Sequence, residues 1–238
     1  MNNVLIFAGG SGTRMNSRSK PKQFLQLYGK EIIIYTLENF QSHPQIDNIV
    51  IVCIKEYIEI LQVLLKKYGI TKVKWIIEGG NTGQESIYNG LVELEKNVPM
   101  DSIVLIHDGV RPFVNPELIT ACIECVEKNG SAITVTPAIE TIVTLENNEV
   151  KSITDRSKCY NAKAPQCFYL SDILSAHKEA IKDNNINMID SASLMKSYGH
   201  KLFVVQGAYD NIKITTPLDF YTFKALYDVR ESQQIFGL

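Results

Sequence analysis

Residues 4–25, VLIFAGGSGTRMNSRSKPKQFL, constrain the fold more than any other stretch of the chain. Val4 to Phe7 is a short apolar run, as in a buried strand. It breaks into Ala8-Gly9-Gly10-Ser11-Gly12, where side chains nearly vanish and backbone N–H groups can crowd around an anion. Arg14, Arg18, Lys20 and Lys22 follow, with Pro21 stiffening the approach to Lys22. A glycine-rich turn leaving a strand, followed by fixed cations, suits a polyphosphate. Two familiar phosphate loops do not fit. A P-loop requires Gly-Lys-Ser/Thr after four intervening residues, and the chain has no such run. A dinucleotide fingerprint requires a third glycine where Met15 stands and an acidic residue ending the next strand, which here ends in Cys53-Ile54-Lys55. The turn is a nucleotide loop of another kind.

The rest of the chain extends this strand into an alternating pattern. Helices are expected over 31–42, 56–68, 84–96 and 116–129, and strands over 48–53, 73–77, 102–107 and 131–136. The run at 48–53 is continuously apolar, as befits a strand covered on both faces. Such alternation means right-handed βαβ units and a mostly parallel sheet, whose ligands sit beyond the carboxyl ends of the strands. Three of those ends carry anion- or metal-binding groups: the turn at 8–12, a second glycine-rich turn at 78–83, and the corner holding Asp108 and Arg111. Asn81 or Thr82 is placed to cap the next helix and so aim its orphan N–H groups at whatever that turn holds.

The alternation stops at Thr141 to Ile153, where β-formers flank the polar turn Glu146-Asn147-Asn148-Glu149. This reads as a hairpin that either edges the sheet or projects as an arm. A lone two-stranded ribbon is marginally stable, so packing against another subunit is expected. A strand over 160–169, helices over 171–182 and 190–198 each opening on a capping residue, a strand over 202–205 and a final helix with Pro217 in its first turn complete the chain.

With 238 residues, 45% of them hydrophobic, the chain can bury one sizeable core. One domain, 1–238, is expected, with 139–158 as its β-arm. A net charge of −2 gives no global basic field, so neither nucleic acid nor a membrane surface is an expected partner and any anion site is local. No apolar run approaches the roughly 20 residues of a membrane helix, and the N-terminus lacks the features of a signal peptide; a cytoplasmic protein is expected. Cys122 and Cys125 form a C-x-x-C inside an amphipathic helix without a second pair, which reads as half-buried reduced thiols. His107 is expected to pack or bond locally, and Trp75 and the tyrosines to build core.

The order A-G-G-x-G-T-R-M, P-K-Q, G-G-x-x-x-x-S, H-D-x-x-R-P, D-R, A-P-Q, N-I-K-I-T, from Val4 to about Tyr227, resembles the cytidylyltransferases that act on small polyol phosphates. These include the methylerythritol-phosphate enzymes of isoprenoid synthesis and the ribitol-5-phosphate enzymes of bacterial surface polymers. The resemblance implies a single Rossmann-like, GT-A-like nucleotidyltransferase domain with a mixed, mostly parallel sheet and a protruding hairpin, working as a homodimer on CTP with Mg2+. It places Ala8, Gly9, Gly10, Gly12 and Arg14 around the CTP phosphates, with Lys22 against the same charge. Gly80, Asn81 and Ser86 would border cytosine and ribose. Asp108, Arg111 and Lys213 would flank the reacting phosphates, with Asp108 near the metal and Arg14, Lys22 and Lys213 acting in catalysis. Arg156, reaching from the partner's arm, would line the acceptor pocket with Ile189 and Asp190.

The chemistry agrees with such a site. An acceptor phosphate has a second pKa of about 6 and is largely dianionic at neutral pH, so it attacks without a general base. The site must instead neutralise and align two anions. Some residues depart from the methylerythritol pattern: Ile189-Asp190-Ser191-Ala192-Ser193 replaces T-D-E-A-S, and Lys163-Ala164-Pro165-Gln166 replaces Q-T-P-Q. The stretch His107 to Phe113 is closer to the ribitol-phosphate members, Asp155-Arg156-Ser157 to the isoprenoid ones. The balance favours an alditol phosphate such as ribitol 5-phosphate, with methylerythritol 4-phosphate as the alternative. A GT-A-like glycosyltransferase is disfavoured by the missing Asp-x-Asp motif, and an inactive nucleotide-binding regulator by the intact set Arg14, Lys22, Asp108 and Lys213.

Overall fold

The computed structural model describes residues 1–10 and 20–236; Gly12 and Arg14 of the expected phosphate loop lie outside the described residues. β1 (Asn2–Ala8) comes first, then a 3-10 turn (Lys22–Phe24), a small ribbon of β2 (Gln26–Leu27) and β3 (Lys30–Glu31), and α1 (Ile32–Ser42). The alternation continues with β4 (Asn48–Cys53), α2 (Ile58–Lys67), β5 (Val73–Glu78), α3 (Gly83–Asn97), β6 (Ile103–Asp108), α4 (Pro116–Asn129) and β7 (Ser131–Pro137). The hairpin β8 (Val143–Glu146) and β9 (Glu149–Ile153) follows, then β10 (Tyr160–Tyr169), α5 (Leu170–Lys182), α6 (Ser191–Ser197), β11 (Val204–Gln206) and α7 (Pro217–Phe236).

Seven strands form one sheet in the order β11-β7-β10-β6-β1-β4-β5. β10 runs antiparallel to both its neighbours, and every other pairing is parallel. The register sets the strand ends level: Phe7 lies opposite Asp108, Ala8 opposite Cys53, and Cys53 opposite Glu78. The two glycine-rich turns and the Asp108 corner therefore leave one edge of the sheet side by side.

Alternate residues of the central strands feed two cores. Ile6, Ile51 and Leu105 pack with Ile33, Leu37 and Phe40 of α1 and with Ile119 and Ile123 of α4. On the other face Leu5, Val50 and Val104 pack with Leu91 and Leu94 of α3, Ile173 and Leu174 of α5, and Leu194 of α6. A Cβ at Gly90 would fall 2.6 Å from Leu5 Cδ1, so glycine lets α3 lie hard against the sheet. A smaller cluster docks Phe223 of α7 on Tyr35, Phe113, Val110 and Ile214.

Three local expectations need correction or refinement. The hairpin forms a two-stranded sheet of its own rather than edging the main one, and all its strand residues are exposed. Ser171 does not cap α5: the helix starts at Leu170 and its N-cap, Tyr169, makes no side-chain cap bond. β10 runs straight into the helix, and the first helical N–H groups find backbone partners instead, Leu170 N donating to Ser102 O at 2.8 Å and Ser171 N to Met100 O at 3.0 Å. The tyrosines are not all core, since Tyr28, Tyr160, Tyr209 and Tyr221 are exposed. Cys122 is buried and Cys125 partly so, both as free thiols.

Candidate active site

On one side of the rim the two glycine-rich turns touch. Gly79 N donates to Cys53 O at 2.9 Å, continuing the strand ladder. Gly80 N donates to Ser86 Oγ at 2.9 Å, and that hydroxyl donates to Thr82 O at 2.9 Å. Thr82 is the residue that caps α3, accepting from Glu85 N at 3.1 Å. A Cβ on Gly9 would lie 3.3 Å from Ser86 Oγ, and one on Gly79 would lie 3.2 Å from Ser86 Oγ and 3.6 Å from Gly9 Cα. Ser86 thus seals the seam between the turns, and side chains there would push them apart. Gln23 anchors the first turn from below: its buried amide donates to Ala8 O at 2.6 Å and reaches Gly10 O at 3.4 Å. Lys22 opens that same 3-10 turn. Ala8, Gly9, Gly10, Gly80, Asn81 and Ser86 are therefore gathered at one place.

At the centre of the rim stands Asp108. Its Oδ2 accepts from Arg111 Nε at 2.8 Å and its Oδ1 pairs with Lys213 Nζ at 2.7 Å. Burial alone would raise the pKa of this carboxyl. The Lys213 and Arg111 charges overcome that and hold it well below the usual carboxylate range. Lys213 arrives from the far end of the chain because Ile214 N donates to Val110 O at 3.0 Å. Asn211, fully buried, ties the pieces together: its carbonyl accepts from Arg111 Nη1 at 2.9 Å and its amide donates to Ala164 O at 2.7 Å. His107 bonds locally, Nε2 lying 3.1 Å from Arg111 O, and burial pushes its pKa down to about 4.

Beyond Asp108 the reversed strand β10 supplies the other wall. Gln166 lies opposite Ile106, so Lys163 and Ala164 extend past the end of β6 onto the rim. Gln166 Nε2 donates to Asp190 Oδ2 at 2.8 Å, while its Oε1 accepts from Ala192 N at 2.8 Å. Asp190 also caps α6, accepting from Ser193 N at 2.8 Å. Lys163 Nζ donates to Ala208 O and Tyr209 O at 3.2 and 3.0 Å, and burial first, then the Arg111 charge, lowers its pKa. A cavity of about 270 Å3 joins these groups, lined by Asp108, Arg111, Lys213, Gln166, His177 and Asp190. Ile189 is 94% exposed yet lines it. Arg156 does not line it. It sits exposed at the base of the arm, with Nη1 donating to Ile139 O at 2.7 Å.

Known proteins resemble this sequence along its length. The pattern of the IspD family, 2-C-methyl-D-erythritol 4-phosphate cytidylyltransferase, matches residues 3–228. The chain belongs to this cytidylyltransferase family. A ribitol-5-phosphate cytidylyltransferase from Vibrio parahaemolyticus is 53% identical over 238 residues, covering all of both chains. A 2-C-methyl-D-erythritol 4-phosphate cytidylyltransferase from Clostridium novyi is 42% identical over 221 residues, 92% of this chain and 93% of its own. Among solved structures, a 4-diphosphocytidyl-2C-methyl-D-erythritol synthase from Anaerococcus prevotii superposes with a TM-score of 0.82 at 29% identity, over 95% of this chain and 96% of that one.

The cavity presents cations and a held carboxylate, and its two histidines are both neutral near pH 7. Among the described residues no cluster of three or more His, Cys, Asp or Glu could hold a metal ion. Asp108 is a single ionised carboxylate whose oxygens retain lone pairs beyond the two ion pairs. That donor set fits a Mg2+ carried chiefly by nucleotide phosphates, which needs only one or two protein carboxylates. Sequence reading assigned no role to Gln23, Gln166 or Asn211, although each stands inside a quoted motif. His177 and Gln84 carried no sequence signal at all. No described helix is long and apolar enough to cross a membrane.

Proposed function

We propose that this chain transfers CMP from CTP to ribitol 5-phosphate or a closely related alditol phosphate, giving a CDP-alditol for a cell-surface polymer. A non-bridging oxygen of the acceptor phosphate attacks the α-phosphorus of CTP. The bond from that phosphorus to the α,β-bridging oxygen breaks, and pyrophosphate leaves with the electron pair. The observation that carries the reading is the Asp108 cluster, with Lys213 and Arg111 on its two carboxylate oxygens, between the touching glycine turns and the Asp190 pocket. This is where two anions meet: the donor's triphosphate over the turns and the acceptor's phosphate in the cavity. Lys213 and Arg111 offset their repulsion, and Arg14 and Lys22 hold charge on the donor side. Asp108 is the residue that would hold a Mg2+ arriving with the nucleotide, which would supply further charge neutralisation at the reacting phosphate. Ile189 and Asp190 border the acceptor.

The full-length match to a ribitol-5-phosphate enzyme favours ribitol 5-phosphate over methylerythritol 4-phosphate. The exposed arm, with Leu145, Val150 and Ile153 open to solvent, supports a homodimer in which Arg156 of one copy completes the acceptor pocket of the other. Soluble phosphorylated substrates and a near-neutral charge support work in the cytoplasm without nucleic acid or membrane. The test is pyrophosphate release with CTP and Mg2+ over ribitol, arabinitol, glycerol, mannitol and methylerythritol phosphates. Ribitol 5-phosphate should turn over fastest. Faster turnover of methylerythritol 4-phosphate than of every alditol phosphate would overturn the choice of acceptor, and no release with any of them would overturn the activity.

A further inference from the structure

His177 lies on the inner face of α5, 1% exposed, its ring stacked on Tyr88 of α3 with centroids 5.9 Å apart. Neither ring nitrogen has a hydrogen-bond partner, yet the ring lines the same cavity as Asp108, Lys213 and Asp190. The surroundings are those of an ordinary helix core: Ile173, Leu174, Ala176 and Ala180 are all buried beside it. Leucine there would pack without stranding polar atoms, whereas buried groups left unpaired are destabilising and rare. Burial holds the imidazole neutral, with a pKa down to about 4. It therefore offers one N–H donor and one lone pair.

The other amides on this wall are already engaged. Gln166 is used by Asp190 and Ala192. Gln84 donates to Asn185 O at 2.8 Å and accepts from Met188 N at 2.9 Å. Among the described side chains lining the cavity, the buried nitrogens without a partner are His107 Nδ1 and both nitrogens of His177, so only the His177 ring has its donor and its acceptor both open. A polyol hydroxyl is both donor and acceptor, the complement of a neutral imidazole.

We infer that His177 reads the hydroxyl-bearing chain of the acceptor, whose phosphate is held by Lys213 and Arg111 in the same cavity. The assignment rests on the function proposed above. It makes His177 a binding and specificity residue. A local violation of packing rules is then the mark of a site rather than of a flawed core.

The test compares His177→Leu and His177→Gln with the unaltered chain, using ribitol 5-phosphate and CTP as the varied substrates and thermal melting as the control. His177→Leu should raise KM for ribitol 5-phosphate by about tenfold or more, the scale of one net hydrogen bond. KM for CTP should stay within about twofold of the unaltered value, and the melting temperature should hold or rise. His177→Gln, which keeps a donor and an acceptor, should recover most of the loss and decides the matter if His177→Leu does not fold. An active parent whose variants keep the acceptor KM within about twofold overturns the assignment to His177 alone. A parent inert to every polyol phosphate overturns the functional reading and this one with it.

Discussion

Replacing Lys213 with methionine separates a structural cation from a catalytic one. Its Nζ lies 2.7 Å from Asp108 Oδ1, and its side chain is 37% exposed. At that distance two unit charges attract by about 6 kcal/mol for an effective dielectric near 20. Solvent screening at a partly exposed group, together with desolvation of both partners, leaves about 1 kcal/mol of net stability. Lys213→Met should therefore lower the melting temperature by only about 2–4 °C for a chain of this size. In the proposed reaction the same ammonium weighs differently, because the two anions are forced together, and charge moves onto the α,β-bridging oxygen, only as the α-phosphorus is attacked. Losing one preorganised donor to such charge costs about 2.7–4 kcal/mol, or roughly 100- to 1,000-fold in kcat. Pyrophosphate release at saturating CTP and ribitol 5-phosphate, read beside the melting curve, measures both effects. Lys213→Arg should recover part of the rate, since it keeps the charge but not the point geometry. If Lys213→Met and Lys22→Ala each lose less than about fivefold in kcat while remaining folded, charge neutralisation by these lysines is not how the reaction is driven.

Other parts of the structure make equally definite claims. Asn211→Ala strands Ala164 O and removes the cross-tie behind the Asp108 corner, so it should cost about 1–3 kcal/mol, read as a lower denaturation midpoint in urea; an unchanged midpoint refutes the cross-tie. His107 and His177 both have folded pKa values lowered to about 4, against about 6.5 in the unfolded chain. Their stability contribution is complete above pH 6.5 and is lost as pH falls toward 4, at up to about 1.4 kcal/mol per pH unit for each histidine. His177→Leu should flatten that slope in a pH series of melting curves, and a parent with no slope between pH 6.5 and 5 contradicts the burial argument. On the arm, Leu145→Asp combined with Ile153→Asp places charge on its exposed apolar residues and should convert a dimer to monomers by light scattering. Activity should then fall with dimer concentration; a fully active monomer rules out a shared acceptor pocket.

How much of this was legible follows from how each feature is encoded. The gathering of the glycine turns is legible because its elements are local: an apolar run, a glycine turn and a helix cap lie within about ten residues of one another, and strand polarity places all such turns on one edge. Asp108 and Lys213 were each visible as motif residues. Their pairing depends on Ile214 bonding to Val110, which no periodicity reports. Ser171 misled because the sequence shows a capping residue at a helix start. It does not show that carbonyls of Met100 and Ser102 already satisfy the first turn. Gln166 was written in the A-P-Q motif, but its use as a brace for Asp190 depends on a partner 24 residues away. His177 looked like any lone histidine on an amphipathic helix. Only a cavity beside it distinguishes an unsatisfied ring from a packed one.

The reversal of β10 explains why the two walls of the rim differ in kind. In a parallel strand the rim receives whatever follows the strand's last residue, so the glycine-rich groups sit on turns between β-strand and α-helix. Because β10 runs the other way, its first half lies over the ends of β6 and β7. It brings Lys163 and Ala164 to the rim inside the strand, at the irregularity between Ala162 and Gln166 where the pairing with β7 shifts register and the pairing with β6 has not yet begun. The segment just before it, the β8–β9 arm with Arg156 at its base, must then emerge from that same edge. One inverted strand thus ties the acceptor wall to the projecting arm. The chain running from the arm through Tyr160 reaches the cavity at Ala162, Lys163 and Ala164, which line it together with Gly83 of the second glycine turn. Variation in the arm and in residues 163–166 should therefore change KM for the acceptor more than KM for CTP in the pyrophosphate-release assay, and an equal change in both refutes the argument.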